Sequence, residues 1–300
     1  MYLRHFNLSE LPFSITPDTS FFMNRAGYQD ALNVLTIALR SGEGFVKVTG
    51  EVGVGKTILC RTLMKAVNKE FVTAYIHNPY IKPDSLLFAI ADALSVKYSE
   101  GISQHVLMKL ITRALLDTHR KGKKVVVCLD EVQAMPVQTL ESLRLLTNLE
   151  TEKRKLLQVV LFGQPELDML LNQPSVRQLK QRITFSYQLK PIDREGMELY
   201  LTHRLSVAGY KGGNLFEFKA MNSLFKASRG IPRLINILSH KAMMSAYGQG
   251  TKYVDLNNMR AAIKDTEDAQ LRSADKKKSG WLKLASGLFV LSFTAFVFLH

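Results

Sequence analysis

Residues 49–60 read Thr-Gly-Glu-Val-Gly-Val-Gly-Lys-Thr-Ile-Leu-Cys, and Gly50, Gly53, Gly55, Lys56 and Thr57 satisfy the pattern G-x-x-x-x-G-K-[ST]. That spacing suits a loop closed around phosphate. Several backbone N–H groups must converge on one anion, and glycines permit the dihedrals and close approach this requires. Lys56 is placed to reach the outer phosphates of a nucleoside triphosphate, and Thr57 to hold Mg²⁺. The expected nucleotide-binding stretch runs through Gly50, Glu51, Val52, Gly53, Val54, Gly55, Lys56, Thr57 and Ile58. A helix beginning at Lys56 would add its N-terminal dipole.

Hydrolysis needs a second element that holds the metal and readies water. Val125-Val126-Val127-Cys128-Leu129 is an apolar run that ends in Asp130-Glu131. As a strand, it delivers both carboxylates to the C-terminal edge of a sheet, beside the phosphate loop. Asp130 fits the Mg²⁺ shell, and Glu131 fits a base that polarises water for attack on the γ-phosphate. A third apolar run, Leu157–Phe162, leads into Gly163-Gln164-Pro165. The Gln164 amide could orient the water or sense the γ-phosphate. Transition-state charge is best met by a guanidinium. Arg233 stands at the first turn of an expected helix and could fold back onto the nucleotide, whereas Arg177 and Arg182 could reach a neighbouring subunit.

The elements that position these residues alternate between strand and helix. Expected strands are 45–49, 71–76, 124–129, 157–162 and 183–189; expected helices are 56–68, 83–94, 106–119 and 139–149. This alternation implies an α/β fold with a parallel sheet sandwiched by helices. After Pro191 the strands stop, and helices follow near 194–207, 215–227, 231–247 and 256–267. The expected layout is a P-loop ATPase core over 1–191, a small all-helical lid domain over 192–267, a polar linker over 268–280 and a transmembrane helix over 281–299. Residues 284–299 carry no charge, while Lys276, Lys277 and Lys278 precede them, with Trp281 at an interfacial height and Lys283 able to snorkel. That pattern fits a single span with its basic flank inside the cytoplasm. The opening Met-Tyr-Leu-Arg-His-Phe-Asn lacks the apolar core of a secretory signal.

Forty Lys and Arg against 26 Asp and Glu give a formal charge of +14, which favours anionic partners such as nucleotide, nucleic acid or a phospholipid surface. The two cysteines, Cys60 and Cys128, lie in apolar segments and read as reduced, and the seven histidines show no zinc-like spacing.

The order of phosphate loop, Asp-Glu strand, polar third strand, arginine-bearing segment and helical lid resembles the AAA+ ATPases. More narrowly, "FNLSELPFSITPDTSFF", "ALRSGEGFVKVTGEVGVGKT", "LDEVQ", "LFGQPEL", "RQLKQRI" and "SRGIPRLINILSHKAM" are similar to segments of the ExeA/GspA family of secretion ATPases. The likeness covers about residues 5–267. It implies ATP and Mg²⁺ as ligands and a homo-oligomer at the bacterial inner membrane, with the ATPase domain cytoplasmic. It also implies service to a type IV (MSHA-like) pilus or type II secretion machine. Lys56, Thr57, Asp130, Glu131, Gln164 and Arg233 match its loop, metal, base and sensor positions, and Arg182 is the weaker match for a finger acting in trans. Longer members continue into a periplasmic wall-binding region, whereas this sequence ends at His300, so the resemblance is better to the short pilus-type form. The rival reading is a DNA-handling ATPase of the transposition or initiation type. A basic loop at Arg120, Lys121, Lys123 and Lys124 favours it; the lack of a helix-turn-helix segment opposes it and makes nucleic acid an unexpected partner.

Overall fold

The computed structural model describes residues 2–23, 26–77, 80–150 and 155–270. They form two compact units: Thr16–Pro191, and a second that joins the residues up to Ile15 with those from Ile192 onward.

The first unit holds five strands, β1 (Phe45–Gly50), β2 (Phe71–Ile76), β3 (Lys124–Leu129), β4 (Leu157–Gly163) and β5 (Ile183–Leu189), in the order β2-β3-β4-β1-β5. Every neighbouring pair runs parallel. Seven helices accompany them: α1 (Ala26–Ser41), α2 (Lys56–Val67), α3 (Pro83–Ala93), α4 (Gln104–Arg120), α5 (Val137–Leu146), α6 (Glu166–Leu171) and α7 (Arg177–Gln181). Successive strand side chains point to opposite faces. Val125, Val127 and Leu129 therefore join one apolar layer with Leu86, Leu107 and Leu140 of α3, α4 and α5. Val126 and Cys128 join the other, with Leu35 of α1 and Leu59 and Cys60 of α2. Coverage on both faces explains why β3 and β4 are continuous apolar runs. The edge strand β5 alternates instead, with Ile183, Phe185 and Tyr187 partly covered and Thr184, Ser186 and Gln188 exposed. Because β4 lies between β1 and β3, the C-terminal ends of all three strands open onto one sheet edge.

The second unit contains α8 (Arg194–Val207), α9 (Phe218–Ser228), α10 (Pro232–Gly248) and α11 (Leu256–Lys264). Asp193 caps α8 by accepting from the Gly196 N–H at 2.8 Å, and Asp255 with Asn258 forms a capping box on α11. The expected extent of the ATPase core, residues 1–191, is corrected at its start: the segment before Thr16 packs with these helices. The fastening is polar as well as apolar. Arg204 of α8, only 5% exposed, donates to the Pro12 and Ser14 carbonyls and to Tyr200 Oη, while Asn236 of α10 donates to Ser14 O at 3.1 Å. A buried guanidinium is tolerated where its donors meet acceptors. Arg204→Ala strands the Pro12 carbonyl in the interior. It is expected to lower the stability of this unit by about 2 kcal/mol, read as a shifted urea midpoint.

Residues 271–300, with most of the expected linker and the whole expected membrane span, lie outside the described residues. Among the described residues no helix is long and apolar enough to cross a membrane.

Candidate nucleotide site

The loop between β1 and α2 is built on glycines that its geometry requires. A Cβ on Gly50 would lie 2.8 Å from the Leu189 carbonyl oxygen and 2.9 Å from Val54 Cγ2. Gly55, the N-cap of α2, has φ +103°, and a Cβ there would lie 2.5 Å from the Tyr28 hydroxyl. Tyr28 of α1 donates to the Val54 carbonyl. Gly53 also has positive φ, 79°. Val54 is buried beneath the loop, while Glu51 and Val52 are exposed on it. The loop thus admits no side chain at Gly50 or Gly55 without displacing its neighbours, and it leads directly into the N-terminus of α2.

Lys56 is the first residue of α2 and turns back onto the loop. Its ammonium donates to Gly50 O at 2.8 Å and Glu51 O at 3.1 Å, and the residue is 5% exposed. Burial lowers its pKa, opposed by the negative charges of Glu131, Asp130, Glu51 and Glu166. A desolvated cation of this kind has more to gain from an incoming phosphate than an exposed one. Thr57 Oγ1 donates to Asp130 Oδ2 at 2.7 Å, Tyr75 of β2 donates to the same oxygen at 3.2 Å, and the Glu131 N–H donates to Oδ1 at 3.0 Å. Burial, and then the Asp130 charge, push the Tyr75 phenol up, so it stays a donor. Asp130 is fully buried, and the donors that reach it are neutral. An adjacent hydroxyl and carboxylate are hard oxygen ligands, a donor set that fits Mg²⁺.

Glu131 follows β3 in the left-handed region, at φ 55°. Gln133 Nε2 reaches its Oε2 at 2.6 Å and Gln164 Nε2 reaches the same oxygen at 2.9 Å. Gln133 Oε1 in turn accepts from the backbone N–H of Gln164 at 2.9 Å, which closes a ring through three residues. Burial alone would raise the Glu131 pKa. The two amide donors and the charges of Lys56 and His77 outweigh it, and the carboxyl sits below the usual carboxylate range.

The structure therefore brings Lys56, Thr57, Asp130, Glu131 and Gln164 to one edge of the first unit. Arg182 is half-buried and donates to Arg144 O at 3.0 Å, Thr147 Oγ1 at 3.3 Å and Asn148 Oδ1 at 2.7 Å, so it caps the C-terminus of α5. Arg177 is exposed. Arg233 is exposed in the first turn of α10, in the second unit. Tyr28, Tyr75 and Gln133 are site residues that sequence reasoning did not assign. Only Gln133 carried a signal, lying two positions after Glu131 in the run Leu-Asp-Glu-Val-Gln.

A family profile described as an AAA domain matches residues 39–171. The chain is 44% identical over 292 residues to the general secretion pathway protein A of Aeromonas hydrophila, an alignment that covers 97% of this chain and 53% of the relative. The chain thus spans about half the length of that curated relative, and the likeness supports membership of the ExeA/GspA family. Among solved structures, Cdc6p of Pyrobaculum aerophilum is similar with a TM-score of 0.63 at 18% identity, covering 83% of this chain and 70% of that one. The ORC2 protein of Aeropyrum pernix has a TM-score of 0.59 at 17% identity, covering 81% and 70%. The RuvB Holliday junction branch migration motor of Thermotoga maritima has a TM-score of 0.56 at 17% identity, covering 83% and 72%. At these identities the structural likeness shows the fold alone.

Proposed function

We propose that this chain, an ATP hydrolase of the AAA type, uses its nucleotide cycle to support assembly of an envelope machine, of the type II secretion or type IV (MSHA-like) pilus class. The observation that carries the hydrolytic part is the meeting of Thr57 with Asp130 at 2.7 Å beside a Glu131 held by two amides. Lys56 and the loop amides hold the β- and γ-phosphates. Mg²⁺, when bound, neutralises charge on the phosphate oxygens, and Thr57 and Asp130 are the residues that would hold it. Glu131 accepts a proton as a water oxygen bonds to the γ-phosphorus; the bond from that phosphorus to the bridging oxygen breaks, releasing ADP. Gln164, bonded to Glu131 and rooted at the end of β4, is placed to report the γ-phosphate to the base. Arg233 is assigned contact with the transition-state charge in the same subunit. Arg182, engaged at the end of α5, is the weaker candidate for a neighbour's site in a homo-oligomer.

The cellular part rests on the likeness to a general secretion pathway protein A and on the uncharged stretch 284–299 behind three lysines. In this reading residues 281–299 tether the chain to the bacterial inner membrane as a single pass, with the ATPase domain in the cytoplasm. A strain lacking the gene should regain secretion or surface pili from the intact chain, and not from Lys56→Ala or from a chain ending at residue 270. The intact chain should need detergent for extraction while the shortened one should not. Recovery by Lys56→Ala would sink the proposal. Tight, steeply salt-dependent duplex binding would support the DNA-handling reading instead.

A further inference from the structure

Gln133 has no part in the scheme above, yet its side chain completes the ring around the base. We propose that Gln133 is a positioning residue for Glu131: its amide holds carboxylate Oε2 in place and ties that position to the start of the β4–α6 loop. The inference rests on the reading of Glu131 as the base.

Chain geometry brings the residue there. Glu131 lies at φ 55° and ψ 37°, and a 3₁₀ turn over Val132–Ala134 folds the chain back after it. Val132 is fully buried and anchors that turn. Space for the amide is left by Gly163, where a Cβ would lie 3.2 Å from Gln133 Oε1 and 2.7 Å from Leu167 Cδ2.

A primary amide is the group this position requires. Its Nε2 faces a carboxylate and its Oε1 faces a backbone N–H, so the reversed amide would set oxygen against oxygen and N–H against N–H. A carboxylate, which has no donor, cannot satisfy both partners, and a hydroxyl would have to reach both from a single atom. Gln133 and Gln164 share Oε2, which leaves Oε1 outside the ring as the oxygen that takes the proton from water. Charges also act on Glu131: Lys56 from α2 and His77 at the end of β2. Glu51 of the loop and Glu166 of α6 bear on Lys56.

The test is steady-state ATP turnover of the intact chain. Gln133→Ala should lower kcat about tenfold and leave KM for ATP within about twofold, a split that separates positioning of the base from nucleotide binding. Gln133→Glu keeps the length but, as a carboxylate, offers Oε2 no donor, so its kcat should fall at least as far with KM again within about twofold. If Gln133→Ala unfolds, Gln133→Glu decides.

A folded variant that keeps the parent's kcat, or whose KM for ATP rises as far as its kcat falls, overturns the proposal. Glu131→Gln, measured in parallel, separates two failures. If it keeps full turnover, the base assignment itself has failed. If it is inactive while the Gln133 variants match the parent, only the positioning role has failed.

Discussion

Glu131→Gln is expected to reduce ATP turnover by about 10²–10⁴-fold while nucleotide affinity stays within a few-fold of the parent. The amide keeps the volume of the carboxylate and its place at the end of β3, and the groups that grip phosphate, Lys56 and the glycine loop, are untouched. What disappears is the ability to take a proton from water. The parent's pH dependence carries the same information. The Glu131 carboxyl is held below the usual carboxylate range, because the Gln133 and Gln164 donors and the charges of Lys56 and His77 outweigh its burial. Its active form is the ionised one, so turnover persists into mild acid and falls only as pH drops through that lowered pKa. Single-turnover phosphate release and a fluorescent nucleotide titration together check this. Unchanged release from the Glu131→Gln protein would assign the base elsewhere.

Gly230→Ala is expected to cost the second unit about 4 kcal/mol. Gly230 follows α9 at φ +73°, a conformation an alanine adopts only with strain. A Cβ at this position would lie 1.9 Å from the Ile192 carbonyl oxygen and 3.0 Å from its carbon. Ile192 would have to retreat, breaking the bond from its N–H to Gly230 O, now 2.9 Å. Gly213→Ala is the matched control, since nothing lies within 4 Å of a Cβ there. Hydrogen exchange of α9 and α10 should reveal the loss directly, and equal protection in the two variants would contradict it.

Much of the first unit was legible because burial wrote itself into residue type. The run Val-Val-Val-Cys-Leu before Asp-Glu could be little other than a central strand, and β3 spans the residues expected of it, 124–129. Short helices were not legible: α6 has six residues and α7 five, too few turns for a 3.6-residue period to declare itself. The helix α1 was also unassigned, although Ala31, Leu35, Ala38 and Leu39 form its buried stripe. It lies ahead of the glycine loop, where the strand and helix reading began. The site divides the same way. Lys56, Thr57, Asp130 and Glu131 announce themselves by local spacing. Gln133 becomes meaningful only once the backbone turns at Glu131, and Arg182 shows its tie to the end of α5 only in three dimensions. The docking of the first fifteen residues was hidden for a related reason: the bond from Arg204 to Pro12 joins positions 192 apart in the chain.

That docking has a bearing on synthesis. The sheet unit is one uninterrupted stretch, Thr16–Pro191, whereas the helical unit is split around it. Thr16–Pro191 emerges from the ribosome before α8 does, so the sheet can close while the segment ahead of it still waits for Arg204. In chain terms the sheet unit is an insertion inside its companion unit, and the part completed later includes residues that precede the sheet.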